Sequence, residues 1–255
     1  MFERAVARVA GAYALRAYLP ASQFARSLRE GLRRLRGKAG APATRLPQAP
    51  WWQLLDGHPI ELAETVKSDG NVRLSELALL GLAARDVALG SEIIEIGTFD
   101  GRTALNLAIN APRGVSIATL DLPAHQRPAL AIEQSERQYV DKPEPGARLR
   151  DCDDVWREAA SRVVQLRGDS ATFDWSAHLG RAGLVFVDGS HAYDYAKTDS
   201  ETAMRLVAPG GIVLWHDYGV WPGVARALEE LEGARHLGLI NIRGTSLVFW
   251  QAGQG

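Results

Sequence analysis

Residues 92–108, EIIEIGTFDGRTALNLA, constrain this chain more than any other stretch. Ile93, Ile94 and Ile96 make a short apolar run broken only by Glu95, as a buried strand would. Gly97-Thr-Phe-Asp-Gly101 interrupts it, and Thr103-Ala-Leu-Asn-Leu-Ala resumes with helical spacing. A strand, a tight glycine turn and a helix start predict the first unit of a nucleotide-type α/β fold. Glycine lets the backbone turn sharply and lie against a ligand with no Cβ in the way. The helix behind the turn presents free N–H groups to an anionic group.

The departure from the dinucleotide pattern carries the functional information. Gly97 and Gly101 stand as G-x-x-x-G, with Glu95 two residues before the first glycine. An acid at the strand end suits an ammonium better than a pyrophosphate. S-adenosylmethionine carries an ammonium, a carboxylate and an adenosine, and is the cofactor expected.

The rest of the chain alternates in the same way. Val115–Leu120 reads as a second strand ending at Asp121, and Arg162–Leu166 as a third, closed by Gly168-Asp169-Ser170. Leu184–Val187 is a fourth ending at Asp188, followed by a helix from Tyr193 to Val207. Pro209-Gly210-Gly211 turns into a fifth, Ile212–Trp215, ending at His216-Asp217. A helix from Val224 to Leu231 and two closing segments, Leu237–Ile242 and Ser246–Trp250, complete the pattern, while 122–160 reads as loop plus helix. Each apolar run carries polar residues at its C-terminal end, where open α/β sheets bind ligands. Asp121 lies about twenty residues after Gly101, where a carboxylate accepts hydrogen bonds from ribose hydroxyls.

Composition excludes several classes. With 255 residues, 46% hydrophobic and 23% charged, the chain is an ordinary globular protein, and its net charge of −1 gives no pull toward nucleic acid. Cys152, the single cysteine, rules out an internal disulfide, and no run approaches the ~18 apolar residues of a membrane span. A cytoplasmic location is expected. Charge is uneven, however: Arg4, Arg8, Arg16, Arg26, Arg29, Arg33, Arg34, Arg36 and Lys38 face only Glu3 and Glu30 before Gly40. Phe24, Leu28, Leu32 and Leu35 fall on one helical face, and Arg26, Arg29, Arg33 and Arg36 on another. Such a helix packs on its own domain or a second subunit, or lies peripherally on the inner membrane surface. We therefore expect residues 1–50 to form a basic helical arm with a Pro-containing connector, and 51–255 the cofactor-binding domain. Trp51, Trp52, Leu54 and Leu55 read as a helical lead-in to that domain.

The order EIGTFDG, Asp121, GDSATFDW, VFVDGSHAY, PGGIVLWHDYG and GTSLVFW resembles the class I S-adenosylmethionine-dependent methyltransferases. The nearest likeness is to bacterial O-methyltransferases related to macrolide-sugar and rhamnosyl O-methyltransferases and to cephalosporin-hydroxylase-like proteins. The likeness covers roughly residues 75–250 and rests on several motifs in order. It implies a doubly wound, mostly parallel seven-stranded sheet with the last strand antiparallel. It also implies that Glu95, Gly97, Thr98, Gly101 and Thr103 hold the methionine part, Asp121 the ribose, and Asp169 with Ser170 the adenine, with Asp188 also in the cofactor site.

Acceptor chemistry falls to Asp188-Gly-Ser-His191 and His216-Asp217. Methyl transfer aligns a nucleophilic oxygen with the sulfonium carbon and removes the hydroxyl proton, a task for His191. Asp188 and His216 are the accompanying catalytic candidates. Related metal-dependent enzymes imply a divalent ion at Asp188, His216 and Asp217, with His216 standing where the macrolide-sugar enzymes have glutamate. Mg²⁺ prefers oxygen and imidazole is a poor substitute, so Mg²⁺, another divalent ion such as Mn²⁺, Fe²⁺ or Zn²⁺, or no ion stay open. The acceptor expected is a hydroxyl of a sugar, glycan or secondary metabolite, and a homo-oligomer is compatible.

Two alternatives remain. Tyr193-Asp-Tyr-Ala-Lys197 matches the Y-x-x-x-K pair of short-chain dehydrogenases, which use NAD(P). Against it, position 103 is Thr where their loop has a third glycine, and PGG followed by a strand ending in His-Asp has no place there. The other alternative is a non-catalytic methyltransferase-like scaffold, against which the intact acid and glycine positions speak.

Overall fold

The computed structural model describes residues 2–25, 44–67, 72–124, 126–141 and 144–253. An eight-stranded sheet forms from β1 (Gln48–Ala49), β2 (Glu92–Ile96), β3 (Ser116–Asp121), β4 (Val163–Arg167), β5 (Ala182–Val187), β6 (Val207–Trp215), β7 (Ile240–Ile242) and β8 (Val248–Gln251). Their order is β1-β7-β8-β6-β5-β2-β3-β4. Every pairing is parallel except those of β8, which runs antiparallel to β6 and β7. The chain has the expected doubly wound sheet with one reversed strand.

The eighth strand was not expected. Two residues of the connector pair beside β7, and Pro47 and Pro50 bracket them. Proline has no N–H to donate, so it ends a ladder at an edge and keeps this strand short. Pro209-Gly210-Gly211 differs too, lying inside β6 rather than before it; the β5–β6 register shifts between Ala182 and Leu184 to accommodate it. The tryptophan lead-in is a single 3₁₀ turn, Trp51–Gln53.

Alternation along the strands divides the core between two layers. Ile93, Ile117, Leu184, Phe186 and Leu214 face α2 (Leu74–Arg85) and α3 (Arg102–Asn110). Ile94, Val185, Val187, Val213 and Trp215 face α4 (Tyr193–Leu206) and α5 (Pro222–Arg235). Helix α2 is buried over ten of its residues, which is why its sequence is apolar on all sides from Leu77 to Ala84.

The N-terminal helix α1 (Phe2–Tyr13) continues through a π-helical turn, Ala14–Tyr18, and helical residues 19–25. It lies on the body: the Ala7 carbonyl accepts the Leu62 N–H at 3.0 Å, Arg4 and Arg8 pair with Glu61, and Ala14 and Leu19 are buried in the main core. Phe24 is exposed. Leu28, Leu32, Leu35 and the arginines from Arg26 to Arg36 lie outside the described residues. Among the described residues no helix is long and apolar enough to cross a membrane.

Candidate active site

Four parallel strands end level with one another. Ile96 pairs with Leu120 and Val187, and Val187 with Trp215, so Gly97, Asp121, Asp188 and His216 emerge along one sheet edge. Strand β2 is flanked by β3 and β5, the topological switch point where open α/β sheets hold ligands. The period of two also sets orientation: Glu95, Thr119, Asp121, Asp188 and His216 share a face with Ile93, Ile117, Phe186 and Leu214, beneath α2.

A cleft opens over this edge, with Gly97, Asp121, Asp169, Ser170, Asp188 and His191 on its wall. Gly97 has φ +104°, and an added Cβ would fall 2.6 Å from the Asp188 carbonyl carbon. Asp121 Oδ2 accepts the Phe99 N–H at 2.6 Å, which fixes the carboxylate beside the glycine turn. Asp169 accepts from the Tyr195 hydroxyl at 2.5 Å and from the N–H groups of Ala129 and Ala171. Phe99, Tyr139 and His191 continue the wall edge to face, with centroids 6.1 and 6.2 Å apart.

The remaining residues expected around the cofactor lie behind this wall. Gly101 has φ +87° and faces Leu149, whose Cγ is 2.8 Å from where a Cβ would sit, and Thr103 is buried in α3. Thr98 and Thr119 join their hydroxyls at 2.6 Å, and Thr119 donates to Glu95 Oε2 at 2.5 Å. Glu95 is fully buried and its Oε1 has no hydrogen-bond partner. Burial holds its carboxyl well above the usual range against the Thr119 bond, and Asp188, Asp121 and Asp100 add to the effect. An orphaned acceptor among acids fits a cationic group. S-adenosylmethionine has two cationic centres, its ammonium and its sulfonium.

Two histidine relays meet beside the cleft. His191 Nε2 lies 2.7 Å from Asp217 Oδ2 and its Nδ1 2.8 Å from Glu136 Oε1, while its ring stacks on Trp221 at 4.4 Å and 8°. Burial lowers its pKa, but the Asp217 and Glu136 carboxylates outweigh that and hold it up at about 9. His216 Nδ1 lies 2.8 Å from Asp188 Oδ1 and 3.4 Å from Asp217 Oδ2, and its Nε2 3.2 Å from Glu76 Oε2. Burial would raise the Asp217 pKa, yet His216 and His191 hold it well below the carboxylate range. Asp217 itself adopts φ +64°, unusual for a non-glycine residue. Asp188, His191 and Asp217 each offer a ligand atom within 4.8 Å of the others, and His216 faces the same carboxylates. Asp188, His216 and Asp217, the expected metal set, are thus brought together, and two carboxylate oxygens with one imidazole nitrogen suit a divalent ion.

Sequence reasoning passed over Glu76, Glu136, Tyr139, Tyr195 and Trp221. Glu136 and Tyr139 belong to the 122–160 stretch, where the helices run only four or five residues and show no usable periodicity. Tyr195 stood inside the Y-x-x-x-K match. The pair named for the dehydrogenase alternative lies elsewhere: Tyr193 donates to Glu230 at 2.5 Å with Arg226 stacked over its ring, and Lys197 is exposed.

Asp199 on α4 is fully buried behind Gly189. Burial pushes its carboxyl up to about 7, with Ser170 opposing and Asp169 assisting. A folded-state pKa above the unfolded value of about 3.9 costs stability progressively as pH rises between the two, and fully above the higher. Asp199→Asn is therefore expected to stabilise the protein more at pH 8 than at pH 5, by on the order of 2–3 kcal/mol. Urea unfolding at the two pH values checks this; an equal effect at both would contradict it.

Comparison with known proteins agrees with this geometry. The family profile described as "Methyltransferase domain" matches residues 94–218, from β2 through the His216-Asp217 edge. Among solved structures, the O-methyltransferase NovP superposes with a TM-score of 0.56 at 18% identity, over 71% of this chain and 81% of that one. The calicheamicin methyltransferase CalS11 gives 0.51 at 17% identity, over 70% and 78%. No curated protein sequence matches. With the profile spanning the glycine turn and both acidic strand ends, on a sheet of this order, residues 94–218 form a methyltransferase domain.

Proposed function

We propose that this methyltransferase transfers the methyl group to a hydroxyl of a sugar, glycan or secondary metabolite, with His191 as the general base. The observation that carries this reading is the convergence of Asp188, His191, His216 and Asp217 at the rim of the cleft that Gly97, Asp121 and Ser170 line. A hydroxyl must lose its proton as it is methylated, and an imidazole is suited to take it. Trp221 and Glu136 hold the His191 ring in place, and the residue lines the cleft. Asp188, His216 and Asp217 are the residues proposed to hold a divalent ion. Such an ion, when bound, would polarise the acceptor hydroxyl. NovP carries O-methyltransferase in its name, in keeping with this reading.

On the cofactor side, Asp121 would take the ribose hydroxyls, and Ser170 with Asp169 the adenine end. Glu95, Gly97 and Thr98 would form the methionine end, with Gly101 and Thr103 shaping the helix start behind it. Asp121→Ala should weaken S-adenosylmethionine binding by about 1.5–3 kcal/mol, two charge-assisted hydrogen bonds. Calorimetric titration of wild type and variant tests this. Saturable NAD binding with no response to S-adenosylmethionine would sink the proposed cofactor side.

A further inference from the structure

We propose that Glu76, which lies outside the methyltransferase-domain match, makes His216 a nitrogen ligand and so selects a transition ion such as Mn²⁺, Fe²⁺, Co²⁺ or Zn²⁺ over Mg²⁺. This rests on the metal set proposed above.

Glu76 sits in the first turn of α2 and is fully buried. Its Oε1 accepts the N–H and the hydroxyl of Ser246, each at 2.8 Å, and faces the Arg73 guanidinium. Its Oε2 accepts the backbone N–H of Arg73 at 3.0 Å and Arg73 Nε at 2.9 Å. So many donors keep the carboxyl ionised in spite of burial. An ionised carboxylate only accepts, so the proton between Glu76 Oε2 and His216 Nε2 belongs to the imidazole.

That assignment leaves Nδ1 as the end of the ring aimed at Asp188 Oδ1 and Asp217 Oδ2. Nδ1 presents either a proton or, once an ion has displaced that proton, its lone pair toward these two carboxylates, so a bound ion would take this nitrogen together with them. Metal-bound histidines almost always donate their other N–H to a carboxylate or carbonyl, which fixes the tautomer and raises the ring's basicity. Glu76, anchored by the β7–β8 turn through Ser246 and by Arg73, is a rigid partner of this kind. The resulting donor set is two carboxylates and one imidazole. Imidazole suits first-row transition ions, whereas Mg²⁺ requires oxygen donors in near-octahedral array. Burial of His216 at 8% exposure further disfavours a heavily hydrated ion on this side.

The test uses Co²⁺ as a visible-absorbing probe on chelator-treated full-length protein. His58→Ala serves as the background, because exposed Asp56, His58 and Asp86 form a second trio able to hold an ion. We expect d–d absorption on Co²⁺ addition, lost in Asp217→Asn, displaced by Zn²⁺ and not by excess Mg²⁺. Glu76→Gln should weaken Co²⁺ binding roughly 10–100-fold while S-adenosylhomocysteine binding, read by calorimetry, stays near wild type. If Glu76→Gln fails to fold, His216→Asp decides the matter: an oxygen-only set should let Mg²⁺ compete with Co²⁺. Co²⁺ absorption absent from wild type, unchanged in Asp217→Asn, or displaced equally by Mg²⁺ would overturn the proposal. Wild type that binds S-adenosylhomocysteine but no ion overturns this inference alone; wild type that binds neither overturns the site reading beneath it.

Discussion

Gly97→Ala is expected to abolish S-adenosylmethionine binding and to lower the unfolding free energy by several kcal/mol. The residue has φ +104°, where an L side chain is strained, and its missing Cβ would lie 2.6 Å from the Asp188 carbonyl carbon and 3.0 Å from the Gly189 nitrogen. Those atoms are backbone and cannot swing aside. Asp188 N–H is bonded to the Ile96 carbonyl at 2.8 Å and Gly97 N–H to that of Leu120 at 2.8 Å, so relief of the clash must part β2 from β3 or β5 at the cleft. Gly180 provides the control: it has φ +67° with nothing within 4 Å of an added Cβ. Gly180→Ala should cost only about 1 kcal/mol, the backbone term alone, and leave cofactor binding intact. Urea unfolding and calorimetric titration of both variants check this. Wild-type-like binding by Gly97→Ala would refute the cleft as drawn.

His191→Ala should reduce methyl transfer by roughly 10²–10⁴-fold, the usual loss for a general base, with S-adenosylmethionine affinity changed little. The ring is held on three sides, by Asp217, Glu136 and the Trp221 indole, so its position is set before any acceptor arrives. Between two carboxylates the imidazole keeps its proton, with a pKa of about 9. A cation in front of Asp217, whether an ion or the sulfonium, weakens that hold and frees the nitrogen to act as base. Release of S-adenosylhomocysteine with a panel of sugar and phenolic acceptors measures the loss. Turnover equal to wild type with any of them would remove the base assignment.

The strand-end acids were legible because the alternation of buried strands and turns places them by chain order alone. Asp121, Asp188 and His216-Asp217 each follow an apolar run, and parallel strands in one sheet end at one edge. Gly97 was legible as a turn with close approach. The second tier was not. Glu76 reads as an ordinary first-turn helix acid, the role it also fills by accepting the Arg73 N–H, and nothing local links it to His216, 140 positions away. Glu136 stands among four-residue helices whose sequence has no period to read. Gly101 looked like a ligand-facing glycine, yet its space is required by Leu149 from a segment that reads as irregular.

By itself the sequence determined the doubly wound sheet, the glycine turn, and which polar residues gather at the C-terminal edge. Those follow from local periodicity and the rule that parallel strands share a direction. The tertiary structure alone decided which side chains complete the site: α2 laid across the sheet brings Glu76 to His216, and the start of α5 stacks Trp221 on His191. Contacts between elements far apart in the chain depend on how whole helices pack. That packing is decided by the shape and volume of two buried layers rather than by any short run of residues.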